Sequence, residues 1–258
     1  MKGIEVFFEC LQFHARTLEG GLNDANLLVA AHEVRKCCDF HGITVMTLQP
    51  FIFFGGLTES LAHAEAIESL RLWFQLVRVL GTELIQIPTN FLPQKTTGDH
   101  NRIIADMTEV ATMGMKQEPP IRFAYEAVAW GTHIDTWDGT WDIVKAVNMP
   151  NFGLCLDTFH IAGKVWGDPT AISGRNVNGP DELAMSMAKM IAELDVNKIF
   201  YVQVGDAELL YPPCYRGWLS LESFNRDLFS ERNDLTSEYA GRAEASWNTL
   251  NEKILQMK

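Results

Sequence analysis

The chain has 258 residues, 47% hydrophobic and 21% charged, and at about 150 residues per domain its length predicts one domain spanning residues 1–258. Ordinary aromatic content with 19 Gly and 10 Pro excludes disordered, collagenous and low-complexity classes. The 33 Asp and Glu outnumber the 21 Lys and Arg, and the resulting charge of −12 repels phosphate backbones and anionic lipid, so neither nucleic acid nor a membrane surface is an expected partner.

The five cysteines (Cys10, Cys37, Cys38, Cys155, Cys214) are odd in number and contain no Cys-x-x-Cys pair, which predicts reduced thiols in a cytoplasmic protein. The opening MKGIEVFFECLQF places Glu5 and Glu9 where a signal peptide needs an unbroken apolar stretch, and no apolar run is long enough to span a bilayer. Neither secretion nor membrane insertion is expected.

In chain order, apolar or β-branched runs predict strands at Ile4–Phe8, Ile43–Leu48, Leu84–Ile87, Ile121–Glu126, Phe152–Asp157, Ile199–Val204 and Trp218–Glu222. Between them, Asn26–Phe40, Leu57–Leu80, Arg102–Met115, Thr136–Val147 and Asp181–Leu194 carry helical periodicity, as in Ala66, Leu70, Trp73, Phe74 and Val77. Gly42, Gly81 and Pro119-Pro120 fall just before strands, where a helix must stop. The repeated strand–helix unit predicts an α/β fold with a parallel sheet. Seven strands against the eight of a closed (β/α)8 barrel predict a TIM-barrel type that is incomplete. The first strand is missing or reduced, and so is the helix before the last strand, for which the short link from Val204 to Trp218 leaves no room. An open sheet edge is an aggregation liability, so a homo-oligomer that covers it is an expectation. The polar stretch Gly167–Pro180 follows a strand on the side where barrel active sites are built.

Four strands end in a residue able to bind a hard cation: Glu126, Asp157, Gln203 and Glu222. Strand alternation puts small residues, Ala124, Cys155 and Ser220, on the same inward face two positions earlier, leaving room above them. Any one of these residues alone reads more readily as a strand-end group that is solvated or salt-bridged. Together they point to a cation, because buried clustered carboxylates without one are costly. Four oxygen donors without paired His or Cys favour Mg²⁺, Mn²⁺ or Co²⁺ over structural zinc. His160, three residues past Asp157, is a candidate ligand, ligand-orienting group or general base, and His133 on the loop after Glu126 is a second catalytic candidate. Asp135 reads as the N-cap of the helix from Thr136. Trp73, Trp137, Trp141 and Trp247 read as packing residues. The sequence contains no Gly-x-Gly-x-x-Gly, Walker, Gly-x-Ser-x-Gly or His-Glu-x-x-His motif, which counts against nucleotide binding, serine hydrolysis and zincin chemistry.

Seven segments, KGIEVFFE, LQPF, LGTELIQIPTNF, IRFAYEAVAWGTHIDTWDGTWDIV, PNFGLCLDTFHIAGKVWGDP, IFYVQVGDAE and GWLSLESFNRDL, resemble the xylose-isomerase-like TIM-barrel superfamily, specifically its fungal-type 3-dehydroshikimate dehydratases. The resemblance implies a divalent metal held by Glu126, Asp157, Gln203 and Glu222. It also implies a lyase of quinate and shikimate catabolism that dehydrates 3-dehydroshikimate to protocatechuate, with His160 as candidate base. In this chain the opening segment resembles the family's second strand, and Ile52-Phe53-Phe54-Gly55 stands where relatives commonly carry a carboxylate-binding Arg. The resemblance then leaves Arg102 or Arg122 to supply that cation. A sugar or sugar-phosphate isomerase or epimerase uses the same logic on a small oxygenated substrate, and a non-catalytic barrel is the reading from another class.

Overall fold

A computed structural model of the protein describes residues 2–168, 170–205, 218–221, 232 and 234–256. The elements run β1 (Gly3–Phe7), α1 (Phe8–Thr17), α2 (Asp24–Phe40), β2 (Thr44–Gln49), α3 (Ser60–Leu80), β3 (Leu84–Pro88) and α4 (His100–Met115). They continue with β4 (Arg122–Glu126), α5 (Trp137–Val147), β5 (Phe152–Asp157), α6 (Thr158–Val165), α7 (Gly179–Glu193), β6 (Ile199–Val204), β7 (Trp218–Leu221) and α8 (Leu235–Gln256). The seven strands are parallel and lie in sequence order, β1 to β7, as the strand–helix alternation predicts.

The sheet is curled into a nearly closed barrel. In a flat sheet β1 and β6 would stand about 24 Å apart, at about 4.8 Å per strand. Here Gln203 Nε2 on β6 lies 3.1 Å from Glu5 Oε2 on β1, a contact that only a curled sheet permits. No ladder joins β7 to β1 among the described residues, so the barrel is incomplete at that seam.

Alternation along each strand sorts the core into two layers. Outward-facing Leu48, Ile85, Ile87, Phe123, Tyr125, Leu154, Leu156, Val202 and Val204 pack with Leu70, Trp73, Val77, Val110 and Val144 of the surrounding helices. A smaller interior cluster contains Leu84, Ala124, Cys155 and Tyr201. The small Ala124 and Cys155 therefore do line the barrel below Glu126 and Asp157. Trp73, Trp137 and Trp141 are buried as expected, whereas Trp247 on α8 is exposed.

Local chemistry fixes the helix ends. Asn23 and Asp99 accept from the N–H groups of Asn26 and Asn101. Gly81 closes α3 in the left-handed conformation with φ of 71°, which a residue with a Cβ adopts at a cost. The cap of α5 is Thr136, whose hydroxyl accepts from Gly139 N–H, and not Asp135, which pairs with Lys164 instead. Helices α1 and α6 are absent from the predicted elements, and of α8 only the helical position of Trp247 is predicted. The first two bury only two residues each, too few for a readable apolar stripe, and α6 is nucleated by a side chain of the preceding strand. The segment read as too short for a helix, between Val204 and Trp218, lies outside the described residues apart from Gly205, as does Cys214. Among the described residues no helix is long and apolar enough to cross a membrane.

Candidate active site

At the C-terminal ends of the strands, each of six consecutive strands contributes one polar side chain. These are Glu5 of β1, Gln49 of β2, Gln86 of β3, Glu126 of β4, Asp157 of β5 and Gln203 of β6. All but Glu5 are buried, and Glu5 is half-buried. Register explains the level: Pro88 stands beside Glu126, Glu126 beside Cys155, and Asp157 beside Gln203.

Asp157 ends β5 and starts α6, and its Oδ1 accepts from Phe159 N–H at 2.7 Å as the N-cap of that helix. The cap places His160 in the first turn, directly above the strand ends. His160 Nε2 lies 3.7 Å from Asp157 Oδ2 and 3.9 Å from Glu126 Oε1. One ligand-type atom from each of these three residues lies within 4.8 Å of the others, and all three residues are buried. Glu126 also accepts from Gln86 Nε2, while Gln86 Oε1 is buried without a hydrogen-bond partner.

Burial sets the charge states. It raises the Asp157 carboxyl to about 6, against the N–H groups of Phe159 and His160, which favour the anion. Burial lowers His160 to about 4, so the ring is neutral at neutral pH. Glu5 is pushed to about 7 by burial, opposed by the polar side chains of Ser220, Tyr201 and Gln203 around it. The thiol of Cys155 and the phenol of Tyr201, both fully enclosed, are raised well above their ordinary values.

The His160 ring has a defined tautomer. Its Nδ1 accepts from Ala129 N–H at 3.3 Å, so the neutral ring carries its proton on Nε2, the nitrogen facing the carboxylates. In that form Nε2 donates, while the other neutral tautomer presents a lone pair there as the third ligand-type atom of the group. At 3.7 and 3.9 Å it is too far from either carboxylate for a hydrogen bond, which leaves space between the three groups. Trp130 stands edge-on to the ring at 4.7 Å and is largely exposed, forming an aromatic rim with Phe159.

The structure thus brings together Glu126, Asp157 and His160, with Gln203 on the neighbouring strand. Glu222 lies outside the described residues. His133 is exposed on its loop, where its Nε2 contacts Thr96 Oγ1 at 3.1 Å, apart from the buried group. Neither arginine considered as a carboxylate clamp is suited to that task. Arg122 begins β4, roughly 13 Å of strand from Glu126 at about 3.3 Å per residue, and lies over the Phe200 ring. Arg102 pairs with Asp106 on its own helix. Sequence reasoning missed Glu5, Gln49 and Gln86. The available signal was one polar residue on the inward register of an otherwise apolar strand, as in GIEVF and LIQIP.

A parallel barrel with buried carboxylates converging at the C-terminal strand ends defines a class of small-molecule enzyme folds. The family model described as xylose isomerase-like TIM barrel matches residues 1–213. A 3-dehydroshikimate dehydratase from Neurospora crassa is 36% identical over 96% of this chain and 84% of its own length. A second, from Pseudomonas putida, is 30% identical over 86% of this chain, which spans only 34% of that longer protein. Among solved structures, a xylose isomerase-like TIM barrel/4-hydroxyphenylpyruvate dioxygenase fusion protein superposes with a TM-score of 0.66 at 25% identity, covering 89% of this chain and 36% of the other. The chain belongs to the xylose isomerase-like TIM barrel family.

Proposed function

We propose that this chain is a divalent-cation-dependent carbon–oxygen lyase that dehydrates 3-dehydroshikimate, or a close oxygenated-ring relative, to an aromatic product. The observation that carries the reading is the buried Glu126–Asp157–His160 group at the strand ends, in a chain whose fungal relative is a 3-dehydroshikimate dehydratase over most of both lengths.

The donor chemistry fits a cation. Two buried carboxylates, Glu126 and Asp157, converge with the His160 ring at the strand ends. An orphaned amide oxygen, Gln86 Oε1, is buried on the neighbouring strand. Glu126, Asp157 and His160 each offer one ligand-type atom within 4.8 Å of the others, close enough for one divalent ion to draw them together. Glu126 and Asp157 would hold the ion, with Gln203 and Glu222 as the further ligands expected from the family resemblance. Bound there, a divalent cation supplies Lewis acidity toward the ketone oxygen of the substrate, which acidifies the neighbouring C–H.

The chain's own residues supply the rest. The neutral His160 ring, proton on Nε2, is a fixed hydrogen-bond donor aimed at charge growing on a substrate oxygen, the enolate oxygen or the departing hydroxyl. The base expected from sequence is the same ring in its other neutral tautomer, with Nε2 bare: it would take the proton from the carbon beside the ketone and pass it to the departing hydroxyl, which leaves as water. The exposed indole of Trp130 offers an apolar face to a planar ring at the mouth, and the buried floor of Ala124 and Cys155 keeps water from entering below.

Product identity tests the reading. The full chain is incubated with 3-dehydroshikimate and Mn²⁺ and the products are read by proton NMR. Aromatic resonances appearing with loss of the ring methylene signals support dehydration. Exchange or epimerisation without aromatisation would instead make the chain an isomerase of the same fold.

A further inference from the structure

We infer that Glu5 is a positioning residue: its carboxylate, reaching across the open seam from β1 to β6, holds the Gln203 amide with its nitrogen turned away and its oxygen turned toward the cation. The inference rests on the proposed cation site and deepens it.

Glu5 does not belong to the Glu126–Asp157–His160 group. Two of its neighbours are amides. Oε2 accepts from Gln49 Nε2 at 2.7 Å on one side, and both carboxylate oxygens lie 3.1 and 3.3 Å from Gln203 Nε2 on the other. Ser220 of β7 faces the same carboxylate. Both glutamines donate through Nε2 to Glu5, so each presents its NH₂ to that carboxyl. That requirement fixes which end of each amide points elsewhere.

For Gln203 the other end is Oε1, which accepts from Cys155 Sγ at 3.0 Å. Cys155 lies two residues before Asp157 on β5, so the amide oxygen is directed to the side of the barrel where Asp157 stands. A glutamine ligates a hard cation through its oxygen, so an amide resting with its NH₂ toward the ion would have to turn over before binding it. The Cys155 thiol is too weak a donor to enforce the choice by itself. Glu5 supplies the stronger partner, with both of its oxygens within 3.3 Å of Gln203 Nε2. A glutamine ligand is competent here because the first strand carries a carboxylate that touches the ligand and not the metal.

The experiment is Mn²⁺ titration calorimetry on the full chain, comparing wild type, Glu5→Gln, Gln203→Ala and the double variant, with melting of each chelated protein as the control for folding. The expected result is that Glu5→Gln weakens Mn²⁺ binding about tenfold or more, the usual range for partners of metal ligands. Adding Glu5→Gln to Gln203→Ala then costs no further affinity. An unchanged affinity for Glu5→Gln overturns the inference. So does an equal loss in both backgrounds, which would make Glu5 a remote charge acting independently of Gln203. If Glu5→Gln fails to fold, Glu5→Asp retains the charge but withdraws it from the amide, and the same two outcomes decide. Wild-type protein that binds no Mn²⁺ overturns the cation site and this inference together, whereas wild-type binding with an unaffected Glu5→Gln removes the inference alone.

Discussion

Asp157→Asn separates the cost of the site from its use. The asparagine keeps a side-chain oxygen to cap α6 through Phe159 N–H, so the helix start survives. What disappears is a buried negative charge. Burial moves this carboxyl from 3.8 to about 6, and at about 1.36 kcal/mol per tenfold change in proton affinity that corresponds to roughly 3 kcal/mol against the metal-free fold at pH 8. The sign follows from which state holds the proton. Below pH 4 the group is protonated both folded and unfolded, and nothing is lost. Between about pH 4 and 6 the unfolded chain has ionised while the folded one has not, so metal-free stability falls as pH rises, and it levels off above 6. His160 gives a slope of opposite sign over a similar range, since its folded value is lowered to about 4, but it is present in both proteins. Chelated Asp157→Asn should therefore melt at wild-type temperature near pH 4. At pH 8 it should melt roughly 6–12 °C higher, at about 2–4 °C per kcal/mol for a chain of this size. Saturating Mn²⁺ should raise the wild-type melting temperature, by about 2.7 kcal/mol of stability at a hundredfold excess over Kd, and leave the variant unchanged. Circular dichroism melts across pH 4–8 measure both. A variant less stable than wild type at pH 8, or equally stabilised at both pH values, would refute the argument that Asp157 is a desolvated charge awaiting a cation.

Cation affinity should fall below pH 6, about tenfold per pH unit for each proton retained, because Asp157 must release its proton to bind; calorimetry in buffers of different ionisation heat checks this by counting protons released. Asn151→Leu should cost about 2–4 kcal/mol in urea denaturation, because Asn151 Nδ2 donates to the buried carbonyls of Ala111 and Ile121 at 2.9 and 2.8 Å and leucine satisfies neither. Gly153→Ala should destabilise by about 1–3 kcal/mol in the same assay, since the added Cβ meets Lys198 O at 2.5 Å and Phe200 Cε1 at 2.6 Å where β5 passes β6.

The parts of this molecule legible in the sequence are those whose physical signature is local. Glu126 and Asp157 each close an apolar strand, and a carboxylate there is conspicuous. The strands themselves read clearly because their apolar runs are bounded by stops such as Gly42 and Gly81. Helix α6 was hidden because its start depends on the Asp157 side chain and its short length carries no stripe. Glu5 was hidden for another reason: its partner Gln203 is 198 residues away and becomes a neighbour only when the sheet curls. The donor state of His160 was also out of reach, since it is set by a backbone N–H, a group every residue but proline possesses. Loop polarity misled in the case of Asp135, where Thr136 offered an equally good cap and a lysine from α6 claimed the carboxylate.

The most direct test of the central claim is the steady-state rate of aromatic product formation from 3-dehydroshikimate as a function of added Mn²⁺, on the full chain stripped with chelator, beside Glu126→Ala treated identically. The account predicts saturable Mn²⁺-dependent turnover in the wild type, none before Mn²⁺ is restored, and none in the variant. Equal turnover before and after stripping, or in Glu126→Ala, would contradict it.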